Sequence, residues 1–240
     1  MYNNGRSIAA KAPASGKECY TIKFIDIILA LLFYRSPQVS FCDEEIKEFD
    51  TIFNAAIHGD GLIKYTSLFP KQRFLLYISM NKNVLMHGST QKSIAEFEPR
   101  RQTLYNGKYV EAVFATKDGV WPVFYSIFNK DKLAGNFRNG CLETRSGKKF
   151  YFFSITKETY MNSPWTQGMI YFLPRESFER ARKEIISFDE WISEEPVKPM
   201  AKIEVDLTDF YFMDRVSIHK AKEPVLKTWL LYKWRNLFSG

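Results

Sequence analysis

The apolar residues of this 240-residue chain change their spacing once, near Arg73, and that change limits the folds open to it. Before it, Ile46, Phe49, Ile52, Phe53 and Ile57 recur at helical spacing, and Gly59 stops the run. Asp43 stands where a helix cap belongs, with Glu44, Glu45 and Glu48 near the positive end of the helix dipole. After it, the runs at 84–87, 109–115, 150–155, 169–173, 202–207 and 215–219 are short, β-branched or aromatic, and bounded by turn residues. They predict strands. Residues 74–80 fit a helix turn or a strand. Helices first and mostly strands afterwards give an α+β chain. No regular helix alternates with the strands, which disfavours a doubly wound nucleotide fold.

Within this frame the chain divides at 16, 72 and 220. Residues 1–16 are rich in Asn, Gly, Ser, Ala and Lys, and are expected to lack order. Residues 17–72 read as a helical part packed as a cap on a β-rich body, 73–220. The apolar run 27–34 is too short to span a bilayer, is bounded by Asp26, and precedes no small-x-small cleavage site. It therefore reads as part of a short buried helix over 23–34, broken by Arg35-Ser36-Pro37. Further on, Asp118 can cap a helix with Pro122 in its first turn and an apolar face that includes Trp121, Phe124 and Phe128. Residues 175–186 suggest another short helix. Residues 221–240 predict a basic C-terminal helix, with Leu230, Leu231 and Trp234 on one side and Trp229 and Lys233 on another.

The net charge of +7 sits at the ends. Residues 1–23 hold four cations against Glu18, and 215–240 hold six against Glu223, so the body is not a cationic cleft. Cys19, Cys42 and Cys141 are too few for a disulfide framework, which suits a reducing, cytoplasmic setting. Their distances from His58, His87 and His219 match no zinc spacing, so no metal is expected. His58 is placed as a partner of a helix C-terminus, and His219 as structural. Gly140 to Lys149 lacks the spacing and the hydroxyl of a phosphate loop, and no Gly-x-Ser-x-Gly occurs.

Three elements remain, in order. Val84-Leu85-Met86-His87-Gly88-Ser89 delivers an imidazole, an open backbone and a small hydroxyl at a strand end. Val113-Phe114-Ala115-Thr116 then runs into the aromatic helix with Trp121, Phe124 and Tyr125. Finally comes Glu190-Trp191-Ile192-Ser193-Glu194-Glu195-Pro196. Together they resemble the ADP-ribosyltransferase superfamily, in a bacterial branch of the His-Gly-Ser type. The last element also resembles the Ser-x-Glu-Pro-Leu segment of the rifamycin-modifying transferases.

The resemblance covers about residues 84–205. It implies a split antiparallel β-sheet that binds NAD as substrate. In it, His87 would hold a ribose, the backbone of Gly88 would pair with the nicotinamide carboxamide, and Ser89 would support a ribose. Phe114 and Thr116 would belong to the second strand, where the family often has Tyr in place of Val113. Phe124 or Tyr125, or else Trp121, would stack on nicotinamide. An acid under the ribose would favour the positive charge that develops as nicotinamide leaves. Glu195 is preferred for it, then Glu194, then Glu190.

The function implied is transfer of ADP-ribose to a protein, nucleic acid, RNA 2′-phosphate or small-molecule acceptor, with no membrane partner. The other reading is a non-catalytic module of the same fold that contacts nucleic acid or an acidic partner through the basic aromatic C-terminus.

Overall fold

The computed structural model describes residues 16–103, 107, 109–181 and 184–238, with side chains from Tyr20 to Leu237 among them. The segment expected to lack order lies outside these residues, except Gly16, which opens the first helix. Helices and strands follow in this order. The first third holds α1 (Gly16–Leu32), β1 (Tyr34–Arg35), α2 (Asp43–Ile57), β2 (Leu62–Ile63) and α3 (Lys71–Asn81). Next come β3 (Val84–Ser89), β4 (Arg100–Thr103), β5 (Tyr109–Ala115), α4 (Trp121–Ile127), β6 (Phe137–Thr144), β7 (Lys149–Thr156), α5 (Lys157–Met161) and β8 (Gly168–Pro174). The last part holds β9 (Glu179–Arg180), β10 (Ile186–Phe188), β11 (Trp191–Ser193), β12 (Ala201–Val205), β13 (Val216–His219) and α6 (Val225–Phe238).

These strands form three small sheets: β1-β7-β6-β10 with β13 added beside β7, then β4-β5-β11-β9, then β2-β12-β8-β3. Pairing is antiparallel except for β12 with β2 and β13 with β7. The fold class is α+β, as the spacing of apolar residues predicts. A large aromatic-rich core lies between α2, α3, α4 and the β7 and β8 strands, with two smaller clusters beside it. Phe49 and Phe53 of α2, Phe74 of α3, Phe124 of α4 and Phe128 just after it, Phe153 of β7 and Phe172 of β8 all lie in the large core.

The first third is built into the body. Phe53 meets Phe172 with ring centroids 5.4 Å apart. Arg73 of α3 grips Glu45 of α2 through two hydrogen bonds of 2.5 and 2.8 Å. The two-residue strands β1 and β2 extend sheets whose other strands come from far down the chain.

Local details settle one open choice and depart from the sequence expectations in three places. Residues 74–80 resolve as helix α3, buried around much of its circumference. The cap of α2 is Cys42, whose amide donates to the Glu45 carboxylate at 3.1 Å and whose carbonyl accepts from Ile46. Among the described residues of 175–186 no α-helix forms, because Glu179 and Arg180 pair with β11 after a single tight turn at Arg175–Ser177. The helix expected to be buried over 23–34 starts earlier and turns its outward side to solvent: Phe24 is 63% and Leu31 70% exposed.

Two glycines decide how α4 docks. A Cβ at Gly88 of β3 would lie 1.8 Å from the Pro122 carbonyl oxygen, and one at Gly168 of β8 would lie 2.0 Å from that of Ser126. Both adjoining strands are bare there, so the helix rests on backbone. Ser126 completes the contact, its hydroxyl donating to the Met169 carbonyl at 2.9 Å.

His219 is buried on β13. Its Nε2–H donates to Asn136 Oδ1 at 2.7 Å, and its Nδ1 lies 2.8 Å from the Ser154 hydroxyl. Burial, with Arg138 nearby, pushes its imidazole down to about 4. His87 is lowered in the same direction by burial. An imidazole that binds its proton less tightly when folded favours the native state above its unfolded value of 6.5 and loses that advantage as pH falls towards 4. Glu223, held at about 2 by Arg235, weakens the fold only at still lower pH. Unfolding free energy from urea titrations should therefore decline between pH 6.5 and 4.5. The His219 share, integrated over its full titration, is roughly 3 kcal/mol, and His219→Gln should flatten the slope in this window.

Candidate functional site

A cavity of about 210 Å³ opens where β3 and β5 part. The two strands meet at one antiparallel bridge, Met86 with Thr116, sealed by two hydrogen bonds of 2.8 and 3.0 Å. Among the described residues their pairing goes no further. The hydrogen-bonding direction alternates along a strand, so the N–H and C=O of Gly88 face the same way as those of Met86, towards the opening. A continued ladder would offer Gly88 the carbonyl of Phe114. That carbonyl instead accepts from His87 Nδ1 at 2.6 Å. The imidazole thus occupies the ladder's next acceptor, and one donor and one acceptor of Gly88 border the cavity.

A carbonyl oxygen only accepts, so His87 carries its proton on Nδ1 and presents Nε2 as an acceptor. Burial lowers its proton affinity, which keeps it neutral at physiological pH. The Phe97 ring, with its centroid 4.6 Å away, packs against it.

The far wall is α4. The N-cap position of this helix is Val120, and Asp118, two residues before it, supports the helix start, its Oδ1 accepting from the amides of Val120 at 2.9 Å and Trp121 at 2.6 Å. Residues four apart share a helix face. Trp121 and Tyr125 turn to the cavity, while Phe124 and Phe128 stack on each other in the core, with ring centroids 5.3 Å apart. Asn139 of β6 fixes the cavity face. Its Oδ1 accepts from Trp121 Nε1 at 2.6 Å. Burial holds the Tyr125 hydroxyl up at about 12, a neutral phenol.

The carboxylate comes from Glu190. Register places Trp191 opposite Ala115 and Ser193 opposite Val113, so the residue before β11 falls beside Thr116 at the cavity. Glu194 and Glu195 follow at the other end of the strand, exposed and outside the cavity lining. His87, Gly88, Phe114, Thr116, Trp121, Tyr125 and Glu190 therefore come together. Ser89, Phe124, Glu194 and Glu195 do not. Ser89 lies past the opening, and its hydroxyl accepts from the Gln91 amide at 3.1 Å. Sequence reasoning missed Gln102, Thr103 and Lys130 at the rim. It also missed Asn139, whose strand shows no clean alternation.

Behind the cavity lies a buried ion cluster. Lys149 Nζ donates to Asp189 at 2.6 Å and to Asp118 at 3.2 Å. Burial alone would push this ammonium down, but the two carboxylates hold it well above the usual lysine range. Tyr151 donates to Asp118 at 2.5 Å, and Trp191 Nε1 to Asp189 at 2.9 Å. Asp118, Asp189 and Cys141 have ligand atoms within 4.8 Å of one another. Lys149 already supplies the positive charge there, and burial keeps the Cys141 thiol protonated.

No protein-family model, curated protein or solved structure matches this chain.

Asp118 positions α4 and Asp189 precedes Glu190, so Lys149 anchors two walls of the cavity at once. Breaking a buried ion pair by removing one partner costs about 3–5 kcal/mol. Lys149→Met should lower unfolding free energy by that amount in urea titrations at neutral pH.

Proposed function

We propose that the parting of β3 from β5 is the split of an ADP-ribosyltransferase-type sheet, and that its cavity takes the nicotinamide–ribose end of NAD. The observation that carries this reading is the pair of Gly88 backbone groups left facing the opening by the His87–Phe114 hydrogen bond. A carboxamide carries one acceptor and a donor amide, which complement this edge in one plane. Tyr125 and Trp121 supply flat faces for a pyridinium ring, worth roughly 0.5–1.5 kcal/mol beyond burial. The neutral His87 accepts from a ribose hydroxyl. The volume suits a nicotinamide and its ribose, with the remainder of the dinucleotide running out past Gln102, Thr103 and Lys130.

In this reading Glu190 is the catalytic acid residue, in ionised form. The bond between the ribose anomeric carbon and the pyridinium nitrogen breaks, and its electron pair leaves with nicotinamide, which becomes neutral. Positive charge develops on the ribose and is stabilised by the carboxylate. The acceptor's nucleophilic atom then bonds to the anomeric carbon and loses its proton to the carboxylate or to solvent. With water as acceptor the outcome is NAD hydrolysis.

The test is nicotinamide release from NAD, followed together with thermal unfolding. Wild type should release nicotinamide and melt at a higher temperature with NAD. Glu190→Gln should lower release by about 10²–10³-fold with the thermal response retained, whereas Glu195→Gln should leave release near wild type. Neither release nor a thermal response at millimolar NAD overturns the proposal. Salt-sensitive RNA binding in that case supports a non-enzymatic binding module.

A further inference from the structure

The exposed large apolar side chains concentrate on α1 and α6. These helices lie side by side over the β6–β7 face. Leu29 of α1, Phe33 just after it and Tyr232 of α6 share one cluster with Phe150 and Phe152 of β7. Phe33 meets Trp229 edge-on at 5.7 Å, and Lys233 Nζ donates to the Ala30 carbonyl at 2.5 Å. The inward faces are therefore packed against the sheet and against each other.

The outward faces are apolar too. On α1, Phe24, Ile27 and Leu31 are 63%, 57% and 70% exposed. On α6, Leu226, Leu230 and Trp234 are 65%, 59% and 62% exposed. Spacings of three and four put each set on one stripe, opposite the stripe that packs on the sheet. Both stripes look away from the same layer and form one apolar surface, of a kind that marks an interaction site.

Charge selects the occupant. The α6 segment carries Lys227, Lys233 and Arg235 and no acid. Lys23 and Lys227 are exposed beside the stripes. Of the acids with described side chains beside these helices, Asp26 pairs with Lys148 and Glu223 with Arg235. A second copy would set lysines against lysines. Residues 1–15 offer few large apolar side chains and bring Arg6 and Lys11, of the same sign.

An anionic lipid surface meets both requirements. It takes the apolar stripes and the aromatic rings at headgroup depth, and lysines reach its phosphates with their stems along the apolar face. No helix among the described residues is long and apolar enough to cross a membrane, so the contact lies in the plane of the surface. We propose that the α1–α6 layer docks on an anionic bilayer. This revises the expectation of no membrane partner, and it is independent of the cavity's chemistry.

Co-sedimentation with phosphatidylglycerol–phosphatidylcholine vesicles tests it. Wild type should sediment with these vesicles at low ionic strength, remain largely in solution with pure phosphatidylcholine, and be released by salt. Ile27→Glu combined with Leu230→Glu should abolish sedimentation with the melting temperature unchanged, since both positions face solvent. A wild type that stays in solution with the anionic vesicles overturns the proposal, as does a double variant that sediments equally well. A concentration-dependent dimer lost in the double variant, without vesicle binding, overturns it in favour of a second copy.

Discussion

A lysine ammonium held between two buried carboxylates is the constraint on which the cavity depends. Lys149 opens β7, Asp118 stands in the turn from β5 to α4, and Asp189 precedes β11. Placing these charges in the interior is expensive, and the arrangement is tolerable only because each group is fully engaged. Asp118 uses one oxygen to support the start of α4 and the other for Tyr151 and Lys149. Asp189 takes Lys149 on one oxygen and the Trp191 indole on the other. Three elements remote in sequence are thereby held to a common point, and the residues that line the cavity are their immediate neighbours.

The opening itself comes from competition for one carbonyl. β3 and β5 begin as an ordinary antiparallel pair and stop after one bridge, where an imidazole takes the acceptor that the next backbone amide would have used. On the other face of β3, the bare Cα of Gly88 lets α4 settle against backbone and bring Trp121 and Tyr125 to the rim. The same glycine therefore serves packing through its missing side chain and leaves its polar groups to the cavity. His-Gly at this point combines two requirements, each of which can be explained without a ligand; their coincidence at one opening gives the site its chemical character.

What was legible in the sequence is what depends on near neighbours. Runs such as 109–115 and 150–155 read as strands because β-branched or aromatic content and turn residues are local, and the Asp118 carboxylate finds its amide partners only two and three residues away. The choice between Phe124 and Tyr125 depends on which helix face meets which layer, and that is a tertiary property. The choice among Glu190, Glu194 and Glu195 depends on strand register, since a few residues separate the cavity end of β11 from its exposed end. Asn139 and Lys149 gave no local signal, because their partners are 18 to 40 residues away. The apolar run in α1 reads as a buried helix although Phe24 and Leu31 face solvent, since hydrophobic content does not say which face of a helix the fold covers.

The short strands β1 and β2 have a consequence out of proportion to their size. Each sews an early segment onto a strand laid down more than a hundred residues later, Tyr34 onto Tyr151 and Leu62 onto Lys202. Towards the other end, β13 lies alongside β7. A nascent chain therefore has no early portion able to complete a sheet by itself, and its first helices must wait, partly uncovered, for distant partners to emerge. Such a topology has high contact order and is expected to fold slowly, and dissecting it at either helical boundary would separate strands from the neighbours that define them.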